Sequence, residues 1–289
     1  MKKNVYLLFF IAVFCWGCNI INPKEPVPTF LHIEPFQYSN PDSSFTGSSS
    51  HSIPAAKVFI NNSAVGVFDL PCTVPLILSK DEEIFIIPAV TNQGLKSYVI
   101  AYPFYELDSV AVKHAPGQTF SFTPKTRYLH SLTRSSFRQM INFEEGNLFR
   151  TTGGDTGVQL ITNPELKIEG KYSGYIYVDQ NHRNSESVST NYFELPTSDC
   201  WLELEYKCSV PFQIGFRAED ANNNSYEAYS VGFYPKSETN KVYVNVSNFT
   251  NANTQYSRFY LKIRVSLDDD DGKYTEGYVV LDNFKVIYK

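Results

Sequence analysis

The chain is poor in the groups that build catalytic centres. Its five histidines (His32, His51, His114, His130 and His182) are isolated from one another and from cysteine. There is no HExxH helix signature and no His/Cys set at zinc spacing, which excludes zinc hydrolases and zinc fingers. There is no GxSxG elbow and no phosphate-cradling glycine loop. Gly153-Gly154 signals a loop but lacks the lysine and helix of a P-loop. Asp268-Asp269-Asp270-Asp271-Gly272 is not an EF-hand. With Gly272 at the sixth loop position, Leu267 and Tyr278 would fall at the first and twelfth, where oxygen donors are required. The run reads as a solvated hairpin tip. Glu203 and Glu205 share one strand face at a backbone spacing of about 6–7 Å. Such a pair can serve glycoside hydrolysis, but alternating charge on an exposed face gives the same pattern.

Helical signals are scarce too. Methionine occurs only twice, and no segment of three turns carries a 3.6-residue apolar stripe. After the first eighteen residues no apolar run approaches membrane-spanning length. No basic stripe could track phosphates, and the formal net charge is −5, so nucleic acid is not an expected partner. Cysteine gives no disulfide framework. Cys200 and Cys208 bracket one expected strand and would stand about 26 Å apart, beyond bridging reach. They share parity with Leu202 and Leu204 and are expected as buried thiols.

The N-terminus is where the sequence is most specific. Lys2 and Lys3 precede an apolar run from Tyr6 to Phe14, which ends on Cys15-Trp16-Gly17-Cys18. This is the pattern of a secretory signal peptide, too short to span a bilayer as a stable helix. Its end resembles the lipobox of bacterial lipoproteins, with a small residue directly before a cysteine. That resemblance implies a lipid on Cys18 and anchorage in the outer membrane. The chain departs from the lipobox at Cys15, where leucine is preferred, and at Trp16, where a small residue is preferred. The alternative is an ordinary signal peptide, with Cys18 a free thiol.

The remaining composition points to an all-β protein. Twenty-two Phe and twenty Tyr, with recurring Val, Ile and Thr, suit pleated and half-buried surfaces. The expected organisation is a leader over 1–17, a Pro/Ser/Asn-rich extended tether over 18–54, a small sandwich over 55–128, a linker over 129–140 and a second sandwich over 141–289. A single strand at Phe30–Ile33 is allowed within the tether. In 55–128, strand, Asn61-Asn62 turn, Gly66, strand and Leu70-Pro71 follow in order, with Pro116-Gly117 later. That order resembles the small immunoglobulin-like domains of secreted bacterial proteins, the PEGA type among them. The whole chain is similar to envelope lipoproteins of Bacteroidota.

In 141–289 strict alternation marks several strands. Leu202, Leu204 and Tyr206 oppose Trp201, Glu203, Glu205 and Lys207; Phe212, Ile214, Phe216 and Ala218 oppose Gln213 and Arg217. Ser209-Val210-Pro211 is expected to join those two as a hairpin. The pattern predicts a two-sheet sandwich. Three patches, Asn142-Phe143-Glu144-Glu145-Gly146, Tyr172 to Val178, and Val280-Leu281-Asp282-Asn283-Phe284-Lys285-Val286, resemble jelly-roll carbohydrate-binding modules and their galactose-binding-like relatives. The resemblance implies a structural calcium ion held by Glu144 and Asp282. Otherwise Glu144 caps a turn and Asp282 binds a backbone NH. It also implies glycan recognition. Aromatic rings pack on the CH faces of sugars, and planar polar groups read hydroxyls. The candidates on nominally polar faces are Trp201, Tyr243, Tyr260, Arg217 and Asn245, with Tyr226, Tyr229 and Tyr234 at a rim. Aromatics on strands also pack against other domains or cross-strand neighbours.

The function expected from the sequence is therefore a non-catalytic, lipid-anchored envelope protein presenting a β-sandwich to glycan. The alternative is an assembly component whose exposed aromatics dock partner proteins.

Overall fold

Period-two alternation decides most of the elements. The computed structural model describes residues 25–194, 199–268 and 272–289, with the side chains of Gln139, Ala228, Tyr229 and Ser230 outside that description. Cys18 and the lipobox lie outside the described residues, as do Asp269, Asp270 and Asp271. No helix among the described residues is long and apolar enough to cross a membrane.

The N-terminal half holds β1 (Thr29–Ile33), β2 (Gln37–Tyr38), β3 (Ala55–Ile60), β4 (Ser63–Asp69), β5 (Cys72–Leu76), β6 (Glu82–Thr91), β7 (Val99–Ala101), β8 (Asp108–Val112), β9 (Thr119–Phe122) and β10 (Lys125–Thr126). A short helix, α1 (Ser43–Thr46), lies between β2 and β3. One sheet runs β4-β3-β6-β7, with β8 also on β6; β5-β1-β9 and β10-β2 form the others. Asn61 and Asn62 turn the β3–β4 hairpin with φ of 47° and 66°, a backbone that asparagine tolerates well.

The expected tether needs correction. β1 pairs antiparallel with β5 and parallel with β9. Leu31, Ile33, Phe36 and Ile53 are buried. Thr29-Phe30-Leu31-His32-Ile33 alternates, and the prolines flank this strand instead of interrupting it, so the segment joins the core. The linker needs the same correction at its end. Phe137–Ile141 forms β11 and pairs with the last strand of the chain.

The C-terminal half holds β12 (Phe149–Gly154), β13 (Gln159–Ile161), β14 (Ser173–Val178), β15 (Asn184–Ser189), β16 (Cys200–Cys208), β17 (Phe212–Glu219), β18 (Ser225–Phe233), β19 (Lys236–Asn245), β20 (Arg258–Ser266) and β21 (Gly277–Tyr288), with helix α2 (Ser247–Ala252) after β19. Two sheets face each other, as alternation predicts. One is β13-β14-β21-β16-β19 with β11 on β21; the other is β12-β15-β20-β17-β18. Their inner faces share one core, including Leu202, Leu204, Phe212, Phe216, Leu261, Ile263, Leu281 and Phe284. Cys200 and Cys208 are buried free thiols in it.

The expected β16–β17 hairpin does not form. β16 pairs with β19 and β21, whereas β17 pairs with β18 and β20. Ser209-Val210-Pro211 instead carries the chain from one sheet to the other. Both strands point their apolar residues into the same core, which two facing sheets satisfy as well as a hairpin would.

Candidate ligand-binding face

The five residues expected to contact ligand fall into two separate places. Trp201, Tyr243 and Asn245 stand on the outer face of β16 and β19, as parity requires. That face is covered by the N-terminal half. Trp201 is 1% exposed and Tyr243 0%. Trp201 meets Tyr102 edge to face at 5.1 Å, and Tyr243 meets Tyr102 at 4.8 Å. The Tyr243 hydroxyl lies 3.0 Å from that of Tyr105 and accepts the Ser52 N–H at 3.1 Å. Asn245 donates its backbone N–H to Asn92 Oδ1 at 2.9 Å, while its own Oδ1 accepts the Ser247 N–H at 2.9 Å. These three are interface residues, and no ligand reaches the two rings.

The charges on that face are buried with them. Glu203 accepts the hydroxyls of Tyr102 at 2.6 Å and Tyr128 at 2.8 Å, and its other oxygen lies 2.8 Å from Lys241 Nζ. Burial works to raise the Glu203 carboxyl, but Lys241 and Lys285 outweigh it and hold it below the usual carboxylate range. Lys285 donates to Ser48 O at 3.1 Å, and burial with repulsion from Lys241 pulls its ammonium down to about 8. Glu203 is buried under the N-terminal half, and Glu205 is buried beside Asn283. They are not an accessible carboxylate pair for glycoside hydrolysis.

Glu144 and Asp282, the expected calcium pair, line one cleft of 320 Å³ together with Glu169 and Asn283. One oxygen of Glu144 and both of Asp282 accept from protein donors. Glu144 Oε1 accepts the N–H groups of Lys171 at 2.7 Å and Tyr172 at 3.0 Å. Asp282 accepts the Ser173 hydroxyl at 2.6 Å and the Asn283 N–H at 2.8 Å. Burial pushes the Asp282 carboxyl up to about 7. Among the described residues no three His, Cys, Asp or Glu side chains are grouped to hold a metal ion. Both carboxylates thus accept backbone N–H groups, the role that the alternative to a calcium site gives them.

Arg217 and Tyr260 are brought together. They are cross-strand partners on β17 and β20, on the outer face of the five-stranded sheet. Around them runs an alternating chain of charge. Arg258 lies 3.8 Å from Glu219, Glu219 lies 2.9 Å from Arg217, and Arg217 lies 3.8 Å from Glu227. Glu227 contacts Lys262, Lys262 lies 3.1 Å from Glu186, and Glu186 lies 3.5 Å from Arg264. The Tyr260 hydroxyl donates to Glu219 at 3.3 Å. Burial, then the neighbouring Glu219, raises its phenol above the ordinary value. Each carboxylate serves two cations, so the side chains hold one another in place before any ligand arrives. Lys262, only 4% exposed, forms part of the floor. At one end, Gln213 and Arg264 line a smaller cleft of 180 Å³ beside Tyr234, which is 74% exposed. Tyr226 is also exposed and stacks on Tyr256. The side chain of Tyr229 lies outside the description.

No protein-family model matches the chain, and no curated protein matches it. Solved structures do. A family 61 carbohydrate-binding module in complex with β-1,4-galactotriose matches at 16% identity and a TM-score of 0.35, over 51% of this chain and 94% of that one. A family 11 module from Clostridium thermocellum, in complex with a β-1,3-1,4-mixed-linked tetrasaccharide, matches at 9% identity and a TM-score of 0.36, over 53% and 96%. A carbohydrate-binding module of the β-sandwich superfamily, described for promiscuous specificity, matches at 10% identity and a TM-score of 0.37, over 81% and 84%. The chain is an all-β protein, and the solved structures to which it is similar include carbohydrate-binding modules.

Proposed function

We propose that the protein is a non-catalytic glycan-binding protein that works through the outer face of its five-stranded sheet. One observation carries the reading. The jelly roll has two outer faces; on one, the part built by β16 and β19 is covered by the N-terminal half, and the other, left to solvent, is an ordered array of Arg, Glu, Lys and Tyr. Such a surface matches a polyhydroxylated ligand. Guanidinium and carboxylate groups in fixed positions read hydroxyls by charge-assisted hydrogen bonds, and Tyr260 offers a ring to a sugar face. It matches an apolar protein partner poorly, because the rings that could have anchored one, Trp201 and Tyr243, are already buried. The assembly-component alternative loses Trp201 and Tyr243 as anchors for the same reason and keeps only exposed rings such as Tyr234 and Tyr226.

The membrane half of the proposal rests on the sequence alone. A lipidated Cys18 would hold the folded body at the outer membrane. Metabolic labelling with a clickable fatty acid tests it: label lost in Cys18→Ser supports the anchor, and no label on the parent protein removes it. The binding half is tested by affinity electrophoresis of the full chain against neutral and acidic polysaccharides. Retardation by at least one polysaccharide, lost in the Arg217→Ala/Tyr260→Ala double variant, is the expected result. Retardation that the double variant leaves intact on every polysaccharide would move the site elsewhere, and no retardation on any gel would end the reading.

A further inference from the structure

A larger cavity than the cleft beside Tyr234 lies away from that face. It is an open cleft of 700 Å³ at the side of the jelly roll, where β12 and the loop to β13 meet β14. Tyr175 and Tyr177, two residues apart on β14, point the same way into it. Both rings are braced. Tyr175 stacks on Tyr278 with centroids 6.2 Å apart and planes at 23°, and the Tyr177 hydroxyl donates to Glu276 at 2.7 Å. Tyr177 is still 40% exposed, so part of its ring is open to a ligand.

The polar side of the cleft is equally fixed. Asp179 accepts the N–H groups of Asn181 at 2.8 Å and His182 at 2.7 Å, and His182 Nδ1 lies 3.1 Å from the same oxygen. Asp155 is held by its backbone N–H on Asn184 O at 2.7 Å. The loop can lie this close only because of its glycines. Gly154 has φ of +83°, and a Cβ there would stand 2.2 Å from Asn184 O. A Cβ on Gly157 would stand 1.9 Å from Thr151 Oγ1. The lining carries carboxylates, hydroxyls, the Gln159 amide and an imidazole, but no lysine or arginine.

We infer that this cleft is a second saccharide site, separate from the charged face and selective for uncharged sugars. The inference rests on the proposed glycan-binding role and adds a place and a ligand class to it. Two braced tyrosine rings supply flat apolar surface for the CH face of a sugar. Asp155, Asp179, Gln159 and the threonine hydroxyls supply acceptors and donors for its hydroxyl groups. Two carboxylates without a lysine or arginine repel carboxylate, sulfate and phosphate groups. The five-stranded face has the opposite balance, since Arg150, Arg217, Arg258, Lys262 and Arg264 outnumber Glu186, Glu219 and Glu227 on its outward positions. The two sites therefore sort ligands by charge.

The test is titration calorimetry on the full chain with neutral gluco-, xylo- and galacto-oligosaccharides, using Tyr177→Ala, Gln159→Ala and the Arg217→Ala/Tyr260→Ala double variant. Tyr177 is a surface ring whose removal leaves the core intact, and an unchanged melting temperature checks this. The expected result is that Tyr177→Ala weakens at least one neutral oligosaccharide about tenfold or more, which is about 1.4 kcal/mol, while the double variant binds it as the parent does. If Tyr177→Ala and Gln159→Ala both bind like the parent, the cleft is not the site, and the face can still hold the ligand. If no neutral oligosaccharide binds up to about 10 mM, weaker than any useful affinity, the cleft inference is overturned, whatever polysaccharide retardation says of the face.

Discussion

Replacing Glu203 by alanine is the perturbation to which the covered face should be most sensitive. Glu203 is fully buried between the two halves, with Lys241 at 2.8 Å and the hydroxyls of Tyr102 and Tyr128 at 2.6 and 2.8 Å. Removing one partner of a buried ion pair costs about 3–5 kcal/mol, because the other charge stays desolvated. Each phenol left without an acceptor adds about 1–3 kcal/mol. These terms overlap, since the vacated space admits water, so a loss of about 4 kcal/mol or more is expected. Urea unfolding followed by tryptophan fluorescence reads it, because Trp201 packs on Tyr102 in the same interface. The Glu203→Met/Lys241→Met double variant should recover part of the loss, having removed both charges. A loss below about 1 kcal/mol for Glu203→Ala would refute the reasoning, and would mean that water already reaches the interface.

Further expectations follow from the same geometry. Burial pushes the phenols of Tyr102, Tyr105, Tyr128 and Tyr243 well above their ordinary value. The folded form therefore keeps protons that the unfolded chain loses, and stability is retained below pH 10 and falls above it. The slope is about 1.4 kcal/mol per tyrosine per pH unit; urea midpoints that stay flat to pH 11 would contradict the burial. Lys285 acts with the opposite sign. Its folded value of about 8 lies below the unfolded 10.5, so its burial penalty is relieved as pH rises between those values, and Lys285→Met should abolish that gain. A fragment of 141–289 would expose Trp201, Tyr243 and Ile287 together; size-exclusion chromatography should show it aggregating, and a monodisperse fragment as stable as the full chain would count against the interface. Chelation by EDTA separates the hydrogen-bonded reading of Glu144 and Asp282 from a calcium site. The first predicts an unchanged melting temperature, and a fall would restore the ion.

What the sequence could reveal depended on how far apart the interacting residues lie. The alternation of β16, β17, β19 and β20 is local, and the side of each strand facing the core was readable. The fate of the other side was not. Trp201, Glu203, Tyr243 and Lys241 alternate just as a wetted face would, but Tyr102, Tyr105 and Tyr128, far upstream, close over them. A signal was present in the last strand. Gly277–Tyr288 is apolar on both parities, with Val280 and Ile287 on the outward side, and a strand apolar on both faces is buried on both. The Asp282-Asn283 step disguised it. Asn283 has φ of 51°, and the register with β16 shifts there, so Leu281 and Phe284 both point inward although three residues apart.

In 18–54 the prolines flank an alternation only five residues long, Thr29 to Ile33, so the segment has the composition of a tether although it joins the core. The sandwich-crossing at Ser209-Val210-Pro211 could not be told from a hairpin, since both put the same side chains in the core. Tyr175 and Tyr177 lay inside a patch read as a mark of the fold, and only their proximity to Asp155 and His182 shows them as a lining. Cys18 remains a matter of sequence.

The most direct measurement is affinity electrophoresis of the full chain on a polysaccharide panel, beside the Arg217→Ala/Tyr260→Ala variant and Trp201→Phe. The account predicts that the first substitution abolishes retardation on at least one polysaccharide while the protein stays folded, and that Trp201→Phe leaves that retardation unchanged, because Trp201 faces the N-terminal half and not the ligand. Retardation that survives loss of Arg217 and Tyr260 but disappears with Trp201 would contradict it.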